Sequence, residues 1–340
     1  MPPSRQVVVS SFSGIDDVST LKIVPGDVAD PIKDQIQVSV IYAGFSGSDI
    51  NMRLGQYPLQ RAAPLTLGYC CLGRVSAMGP NSSAFKVGDL VTAVTVYDSQ
   101  ADLVNIREKH LVSVPEGLDL QKAAALPLDW NTAYGMVMRA AKVSHGQRVF
   151  IHGLSGAVGY ALLSLCKLQG AIVYGTASSR NHSTLRGLGV TPFVYSDKDW
   201  IAQMKAVGGA HAVFDPLGFG SWDESYSILS DSDPSILVGY GGNLASLNGD
   251  KETRSPFPSI AKLLAQNLRL FCNKSTTFFY IDRDQTTFKP ELLALLDMLK
   301  DGKIDVSIKH VWDLEEIQNA HRSWGKAPGI GSLLIRVSEE

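Results

Sequence analysis

Hydrophobic positions change their spacing near residue 120 of this 340-residue chain. Before that point, runs of β-branched and aromatic residues are separated by pairs that mark turns, such as Gly79-Pro80 and Gly88-Asp89. After it, apolar runs as short as buried parallel strands alternate with apolar residues at helical spacing. The pattern predicts an antiparallel, barrel-like part followed by a doubly wound parallel α/β sheet.

The same spacing predicts the individual elements. In the first part, strands are expected at residues 6–10, 35–43, 73–75, 89–96 and 112–115. In the second, strands are expected at 149–152, 171–176, 192–195, 211–215, 235–240 and 268–272, and helices at 120–125, 133–140 and 261–267. The tail adds helices at 289–300 and 314–323 and a strand at 331–337, and we expect it to return to the first part. The length favours two domains, 1–123 with 285–340, and 124–284.

A glycine-rich turn follows the strand at 149–152 and precedes a helix that ends at Gly170. The first glycine of such a turn permits a sharp bend, the second a close approach of pyrophosphate, and the third close packing of helix on sheet. The free N–H groups and the dipole of the helix then favour phosphate. The residues expected to contact the diphosphate are Gly153, Ser155, Gly156, Ala157, Val158 and Gly159. A tight turn without a ligand is the alternative.

The residues after the second strand of this unit indicate which dinucleotide it binds. An NAD site usually has an acidic residue there for the ribose hydroxyls. This chain has Ser178, Ser179 and Arg180, and two hydroxyls with a guanidinium suit a 2′-phosphate. The sequence therefore predicts NADPH as the cofactor. A solvated surface role for Arg180 is the alternative.

Composition and charge bear on the expected partners and the expected cellular setting. The chain is 45% hydrophobic and 19% charged with a net charge of −2, which gives no argument for a nucleic-acid or membrane-surface partner. The spacing of Cys70, Cys71, Cys166 and Cys272 does not indicate a disulfide framework, so a reducing, cytoplasmic setting is expected. Residues 1–10 do not contain the apolar stretch of a signal peptide, and no run is long enough for a membrane span. The histidines, including His152, show no metal-ligand spacing.

Segments along nearly the whole chain resemble the medium-chain dehydrogenase/reductase superfamily. They are residues 40–49 (VIYAGFSGSD), 53–58 (RLGQYP), 64–75 (PLTLGYCCLGRV), 85–91 (FKVGDLV), 123–127 (AAALP), the glycine turn, 299–304 (LKDGKI) and 314–321 (LEEIQNAH). The resemblance implies a Rossmann domain with a doubly wound parallel sheet, and a GroES-like antiparallel β-barrel domain that the C-terminal tail completes.

The chain departs from the zinc-dependent members of that superfamily. Those members carry a Cys-His pair where this chain has Ser46 and Gly47, and His-Glu where it has Tyr69 and Cys70. Catalytic zinc usually takes about three protein ligands. The segment 97–102 also lacks the four-cysteine lobe that holds structural zinc. We therefore expect no metal, and the chain resembles the zinc-independent quinone oxidoreductase and enoyl reductase branch.

That resemblance implies hydride transfer from NADPH to an activated C=C or quinone, and it assigns roles to three side chains. Tyr57 is the preferred proton donor, with packing beside Pro58 as the alternative. Ser46 is a candidate hydrogen-bond donor to a substrate carbonyl, with a strand-end turn as the alternative. Trp130 is placed near the pocket, with a core or capping role equally open.

The remaining cofactor contacts are also expected from the resemblance. Thr132 is placed near the nicotinamide carboxamide, with a core or capping role equally open. Tyr195 is placed near the 2′-phosphate, with an aromatic residue that merely ends a strand as the alternative. Gly239, Tyr240 and Gly241 are placed at a strand end beside the nicotinamide half, where the glycines alternatively just turn the chain. Cys272 and Asn273 are placed at the end of the last strand, near the same half of the cofactor.

Three hypotheses of function stay open at this point. The first is an NADPH-dependent reductase of enones, quinones or enoyl thioesters, with a stand-alone enoyl reductase of a polyketide pathway as a close variant. The second is a pathway enzyme of the same fold with non-redox chemistry such as cyclisation. The third is a non-catalytic NADPH-binding protein. The expected partner is a small molecule, and the resemblance implies a homodimer through the strand near residues 268–272.

Overall fold

The computed structural model describes residues 4–242, 257–269 and 272–339, and the chain forms two compact units. Unit 1 comprises Met1–Asn131, Asp282–Pro328 and Ser332–Glu340. Unit 2 comprises Thr132–Ile281 and Gly329–Gly331. The sequence predicts domain boundaries at 123/124 and 284/285, and these boundaries stay a prediction.

Unit 1 contains two largely antiparallel sheets. One has three strands in the order β2-β1-β4, and the other has seven, in the order β15-β16-β3-β5-β6-β8 with β7 paired to β3. The strands are β1 (Ser4–Val9), β2 (Leu21–Gly26), β3 (Gln35–Phe45), β4 (Leu65–Thr66), β5 (Cys70–Met78), β6 (Leu90–Val94), β7 (Leu103–Arg107), β8 (Val112–Ser113), β15 (Ile308–Asp313) and β16 (Ser332–Arg336). Because β16 pairs with β3, the tail completes this sheet, as the sequence predicts.

Short helices connect the strands of unit 1. The α-helices are α1 (Gly47–Arg53), α2 (Leu120–Ala124), α9 (Phe288–Lys300) and α10 (Ile317–Ser323), with 3₁₀ turns at Glu108–His110 and Leu314–Glu316 and a π-helical turn at Leu126–Trp130. Asp119 caps α2, as its residue type predicts, by accepting a hydrogen bond from the Lys122 amide at 3.1 Å. The core contains the apolar residues of β3, such as Val38 and Val40, which are fully buried.

Unit 2 is built on one six-stranded sheet in the order β11-β10-β9-β12-β13-β14, in which every neighbouring pair is parallel. Its strands are β9 (Arg148–Ile151), β10 (Ile172–Ala177), β11 (Thr191–Val194), β12 (Ala212–Asp215), β13 (Ser235–Tyr240) and β14 (Lys274–Phe279). Its α-helices are α3 (Asn131–Tyr134, which begins one residue before unit 2), α4 (Ala157–Leu168), α5 (His182–Gly187), α6 (Asp199–Ala206), α7 (Gly220–Ser227) and α8 (Phe257–Ala265). The strand order reverses between β9 and β12, which is where such sheets bind ligands.

Aromatic residues fill the core on one side of this sheet. Phe150 on β9 and Trp200 on α6 stack with ring centroids 5.0 Å apart, and both are almost fully buried. Trp222 on α7 and Leu263 on α8 extend the same cluster. Burial of aromatic side chains of this size contributes much of the apolar area that stabilises a domain.

One predicted strand is misplaced, and one predicted helix is present with a different hydrogen-bond pattern. The strand expected at 268–272 is β14, Lys274–Phe279, and a 3₁₀ turn precedes it at Gln266–Leu268; residues 270–271 lie outside the described part. The polar start of β14 hid it, because this edge strand pairs on one side only. The helix expected at 133–140 consists of α3 and a π-helical segment, Gly135–Ala140. Within residues 4–242, 257–269 and 272–339, no helix has both the length and the apolarity needed to cross a bilayer.

Candidate active site

The glycine turn after β9 has the backbone geometry of an anion-binding loop. Gly153 has φ +72°, a conformation that residues with a side chain seldom adopt. Gly156 is the N-cap of α4 and places no capping side chain over the helix start. A Cβ on Gly159 would lie 2.1 Å from the Gly153 carbonyl oxygen, so only glycine fits there. The turn and the helix are therefore packed as closely as backbone allows.

This packing leaves the first amides of α4 available to an anion. The first N–H groups of an α-helix have no intrahelical acceptor, and here the N-cap offers none from a side chain. Gly153 and Gly156 are exposed, whereas Gly159 is buried, so the mouth of the turn faces solvent. The helix dipole adds a favourable field for negative charge at this end. The turn lies at the carboxyl end of β9, beside the point where the strand order reverses.

The residues expected to recognise the adenosine ribose come together at one edge of the sheet. Ala177 at the end of β10 is paired with Val194 at the end of β11, so Ser178 and Tyr195 follow neighbouring strands. Ser178 is the N-cap of the 3₁₀ turn Ser179–Asn181, which carries Arg180. Ser179, Arg180 and Tyr195 are exposed. Their side chains are accessible to a ligand at this edge of unit 2.

The residues after β13 have a structural explanation of their own. A Cβ on Gly239 would lie 2.8 Å from Leu263 Cδ2 and 2.9 Å from Trp222 Cε2, so these side chains occupy the space a larger residue would need. Tyr240 is buried, and Gly241 turns the chain with φ +69°. The cofactor role of these three residues stays a prediction, and the packing of Gly239 is independent of it.

Cys272 and Asn273 do not lie at the predicted end of the sheet. They precede β14, and the Ser235 amide, at the start of β13, donates to the Asn273 carbonyl at 2.9 Å. The strands are parallel and the glycine turn follows the carboxyl end of β9, so Cys272 and Asn273 lie at the opposite edge. The predicted placement at the end of a strand is wrong because β14 begins later than the apolar run indicated, and nothing in the observed position supports the predicted contact with the cofactor.

Ser46 acts as a capping residue in unit 1. Its hydroxyl donates to Asp49 Oδ2 at 3.2 Å and accepts from the Ser48 amide at 3.3 Å, and its own amide donates to Asp49 at 2.9 Å. These contacts form the capping box of α1. In this arrangement the single hydroxyl proton is donated to Asp49, which favours the turn alternative, and the hydrogen bond from Ser46 to a substrate carbonyl stays a prediction.

Tyr57 is hydrogen-bonded to a second tyrosine. Its hydroxyl lies 2.8 Å from the hydroxyl of Tyr69, and the Tyr97 ring packs edge-on against it with centroids 6.4 Å apart. Tyr69 is buried, while Tyr57 is partly exposed. Burial raises the pKa of both phenols, so both stay protonated at neutral pH. The pair therefore presents a neutral O–H group with a built-in partner.

Trp130 and Thr132 are both buried. Trp130 has 0% exposure and is among the largest fully buried side chains of the described residues. A side chain without accessible surface offers none to a substrate, so this burial favours the core alternative, and the catalytic role of Trp130 stays a prediction. Thr132 is 8% exposed, and its contact with the nicotinamide stays a prediction.

The residues at the family's zinc positions do not suit a metal. Gly47 has no side chain, the Ser46 hydroxyl caps α1, and the Tyr69 hydroxyl bonds Tyr57. Cys70 is fully buried, and burial raises the pKa of its thiol well above the ordinary value. Within the described part of the chain, no group of three or more His, Cys, Asp or Glu residues is arranged to hold a metal ion.

Asp129 is a buried acid that the sequence did not single out. It lies in the turn Leu126–Trp130, and Ser332 on β16 donates to its Oδ2 at 2.7 Å. Burial raises its pKa to about 7, although the Ser332 hydrogen bond opposes this. Asp49 is a second fully buried acid, and its pKa is raised to about 6, again mainly by burial.

Replacement of Asp129 by asparagine is expected to stabilise the protein increasingly as pH rises. The pKa is raised from 3.8 to about 7, so the stability that the protonated acid contributes is complete below 3.8 and is lost as pH rises through 7. Asparagine stays neutral and can still accept from Ser332. At about 1.4 kcal/mol per pKa unit, discounted for burial of the amide, we expect a gain of about 2 kcal/mol at pH 8 and less at pH 5.

Urea unfolding of both proteins at pH 5 and pH 8 measures this gain. Asp119→Asn is the matched control, because Asp119 is an exposed N-cap and should show no gain that grows with pH. Equal differences between wild type and Asp129→Asn at the two pH values would contradict the prediction.

Sequence reasoning missed functional candidates for one physical reason. Tyr69 entered only as the replacement of a zinc ligand, and His152 only among the histidines that show no metal-ligand spacing. The role of such a residue depends on a contact with another part of the sequence, as the contact of Ser332 with Asp129 illustrates. Alternating polar residues at strand ends are the only local signal that points to such positions.

Comparison with known proteins agrees with this architecture. Residues 32–116 match the family described as Alcohol dehydrogenase GroES-like domain, and residues 157–271 match the family described as Zinc-binding dehydrogenase. The Danio rerio protein named Synaptic vesicle membrane protein VAT-1 homolog is 28% identical over 345 residues, which cover 97% of this chain and 69% of the relative.

Two further relatives are named for their activity. The Pongo abelii quinone oxidoreductase is 31% identical over 248 residues, covering 71% of this chain and 74% of the relative. The structure of Escherichia coli quinone oxidoreductase complexed with NADPH has a TM-score of 0.83 at 21% identity, covering 98% of this chain and 100% of that one. The chain therefore belongs to the medium-chain dehydrogenase/reductase superfamily, in its quinone oxidoreductase and enoyl reductase-like branch. Its relatives and its fold support an oxidoreductase of this superfamily.

Proposed function

We propose that the protein is an NADPH-dependent, zinc-independent reductase that transfers hydride to an activated C=C or a quinone. The observation that carries the proposal is the glycine turn of unit 2, with hydroxyl and guanidinium groups at the end of the next strand. Enones, quinones and enoyl thioesters are the proposed substrates, and a thioester of a polyketide pathway belongs to this class.

The residues of unit 2 suit NADPH. The amides at the start of α4 would hold the diphosphate, where a larger residue at 159 would clash with the turn. Ser178, Ser179 and Arg180 would bind the 2′-phosphate, since a guanidinium pairs with phosphate through two parallel hydrogen bonds. Bound NADPH supplies the hydride. In the family relative from Escherichia coli, NADPH is the bound cofactor.

Unit 1 would supply the proton and the charge stabilisation. The Tyr57 hydroxyl is neutral at physiological pH, because burial raises its pKa. A hydrogen bond from Tyr69 to Tyr57 would disperse negative charge on the Tyr57 oxygen as its proton leaves. We propose Tyr57 as the proton donor to the reduced substrate, in place of a metal. The homodimer expected from the resemblance stays a prediction.

Replacement of Arg180 by alanine tests the cofactor assignment. We expect the dissociation constant for NADPH to rise about 30-fold, because hydrogen bonds to a charged group contribute about 1.5–3 kcal/mol. Binding of NADH should be unchanged, since NADH has no 2′-phosphate. Fluorescence titration with each dinucleotide measures both values.

Arg186→Ala is the matched control for this measurement. Arg186 is an exposed arginine at the end of α5, six residues further along the same unit. It should change neither dissociation constant. An equal loss of NADPH and NADH affinity in Arg180→Ala would contradict the role of Arg180 in recognition of the 2′-phosphate.

A second assay separates the reductase from the two alternatives. Wild-type protein with NADPH and a panel of enones, quinones and enoyl thioesters should lower the absorbance of reduced nicotinamide. Tight NADPH binding without oxidation by any member of the panel would favour a non-catalytic protein. Conversion of a substrate without NADPH oxidation would favour non-redox chemistry.

A further inference from the structure

A chain of buried hydrogen bonds runs from the glycine turn across the carboxyl edge of the sheet in unit 2. The Gly153 amide donates to Thr176 Oγ1 at 3.3 Å, and Thr176 Oγ1 lies 3.1 Å from His152 Nδ1. His152 Nε2 lies 3.0 Å from Ser225 Oγ, which donates to Asp215 Oδ2 at 2.6 Å. The side chains of Thr176, His152, Ser225 and Asp215 are all buried.

The chemistry of the partners fixes the direction of every bond. The Asp215 carboxylate only accepts, so Ser225 gives its one proton to it and must accept from His152 Nε2–H. The neutral imidazole then has a bare Nδ1, which accepts the Thr176 hydroxyl proton. Thr176 keeps a lone pair for the Gly153 amide. Burial lowers the pKa of His152, which agrees with this neutral form.

Asp215, at the far end of this row of hydrogen bonds, is held by further donors. Asp215 Oδ2 also accepts from Ser221 at 2.7 Å, and Oδ1 accepts from the Leu217 amide at 2.7 Å. Ser221 and Ser225 lie on the same side of α7, so the helix holds the carboxylate from two points. The Leu154 amide adds a bond to the Thr176 carbonyl at 2.9 Å, which ties the turn to β10 a second time.

This cluster is not a nucleophilic site despite its Ser, His and Asp. A nucleophilic serine donates to a histidine that a carboxylate orients through the other nitrogen. Here Ser225 donates to the carboxylate, and Thr176 occupies the other nitrogen of His152. Ser225 also has 0% exposure, so its oxygen cannot reach a substrate.

We propose that Thr176, His152 and Ser225 are positioning residues that hold the Gly153 amide and the turn in the geometry that binds the diphosphate of a nicotinamide dinucleotide. The inference rests on the proposed cofactor function, and it adds residues that do not touch the ligand. Because the diphosphate is common to NADPH and NADH, these hydrogen bonds should support the binding of both dinucleotides equally.

Thr176→Val tests the proposal, since valine keeps the shape of threonine and removes the hydroxyl. We expect the dissociation constants for NADPH and NADH to rise together by about tenfold, the worth of one buried hydrogen bond. Thr176→Ser restores the hydroxyl and should recover most of the affinity. Ser164→Ala is the control, because Ser164 lies on α4 and donates only to the Tyr160 carbonyl at 2.9 Å.

Ser225→Ala breaks the chain at its far end and should weaken both dinucleotides in the same way. In steady-state assays, KM for NADPH should rise while kcat stays near the wild-type value. Unchanged dissociation constants with a lower Tm in both variants would show a merely structural chain and overturn the proposal. So would a loss confined to NADPH, which would place the effect at the 2′-phosphate. Failure of the wild-type protein to bind either dinucleotide would instead overturn the cofactor assignment and this inference with it.

Discussion

Replacement of Tyr57 by phenylalanine is expected to lower the rate of NADPH-dependent reduction by about 10²- to 10⁴-fold, the usual contribution of a positioned acid. The substitution removes one oxygen and leaves the ring against Tyr97. The Tyr69 hydroxyl loses its partner at 2.8 Å, but Tyr57 is itself partly exposed, so we expect water to enter beside the phenylalanine and replace the lost bond. Stability should therefore change little.

Steady-state kinetics on the best substrate of the panel measures the effect. The loss should appear in kcat, with the dissociation constant for NADPH unchanged, because Tyr57 belongs to unit 1 and the cofactor residues to unit 2. Because burial raises the pKa of Tyr57, this residue should stay protonated between pH 6 and pH 9. Its ionisation should therefore not change the rate of reduction over that range.

Tyr42→Phe is the matched control for Tyr57→Phe. Tyr42 is a buried tyrosine of β3 in the same unit, and its hydroxyl accepts a long hydrogen bond from Gln121 at 3.4 Å. It should retain nearly the full rate. A Tyr57→Phe variant with wild-type kcat would show that Tyr57 packs beside Pro58 and that another group donates the proton.

The parallel sheet was predictable from the sequence because its strands are buried on both faces. Such strands appear in the sequence as short continuous apolar runs. The predicted positions of β9 and β13 therefore agree with the observed ones to within about a residue. The glycine turn was predictable for a related reason. A positive φ at Gly153 and a backbone contact at Gly159 leave no other residue type acceptable.

The candidate site was less predictable because its residues take their roles from distant partners. Ser46 had the sequence context of a ligand-binding turn, but a carboxylate three residues later claims its proton. Trp130 had the context of a pocket residue, but its full burial depends on packing that no local pattern encodes. Asp129 and Ser332 lie 203 residues apart, and only the return of β16 to the seven-stranded sheet brings them together.

Replacement of Gly159 by alanine is expected to weaken binding of both nicotinamide dinucleotides by about 100-fold or more. A Cβ at this position would lie 2.1 Å from the Gly153 carbonyl oxygen, far inside the closest distance that real Cβ atoms show. Backbone has to move by roughly 1 Å to relieve this contact, and a displacement of that size at a binding group costs about 10²-fold. The same strain should lower Tm, because overpacking costs about 1–3 kcal/mol.

Gly156→Ala is the matched control, on the same turn and with the same added methyl group. Its Cβ would lie 3.3 Å from the same carbonyl oxygen, a tight contact that a shift of a few tenths of an ångström relieves. Thermal unfolding should therefore show a small loss of Tm for Gly156→Ala and a large one for Gly159→Ala. Equal losses of Tm would contradict the interpretation, because it rests on the difference between 2.1 Å and 3.3 Å. Fluorescence titration should show weaker dinucleotide binding by both variants, since residue 156 is itself expected to contact the diphosphate. A severe loss in Gly156→Ala alone would instead show that the ligand approaches the backbone at residue 156 more closely than an alanine side chain permits.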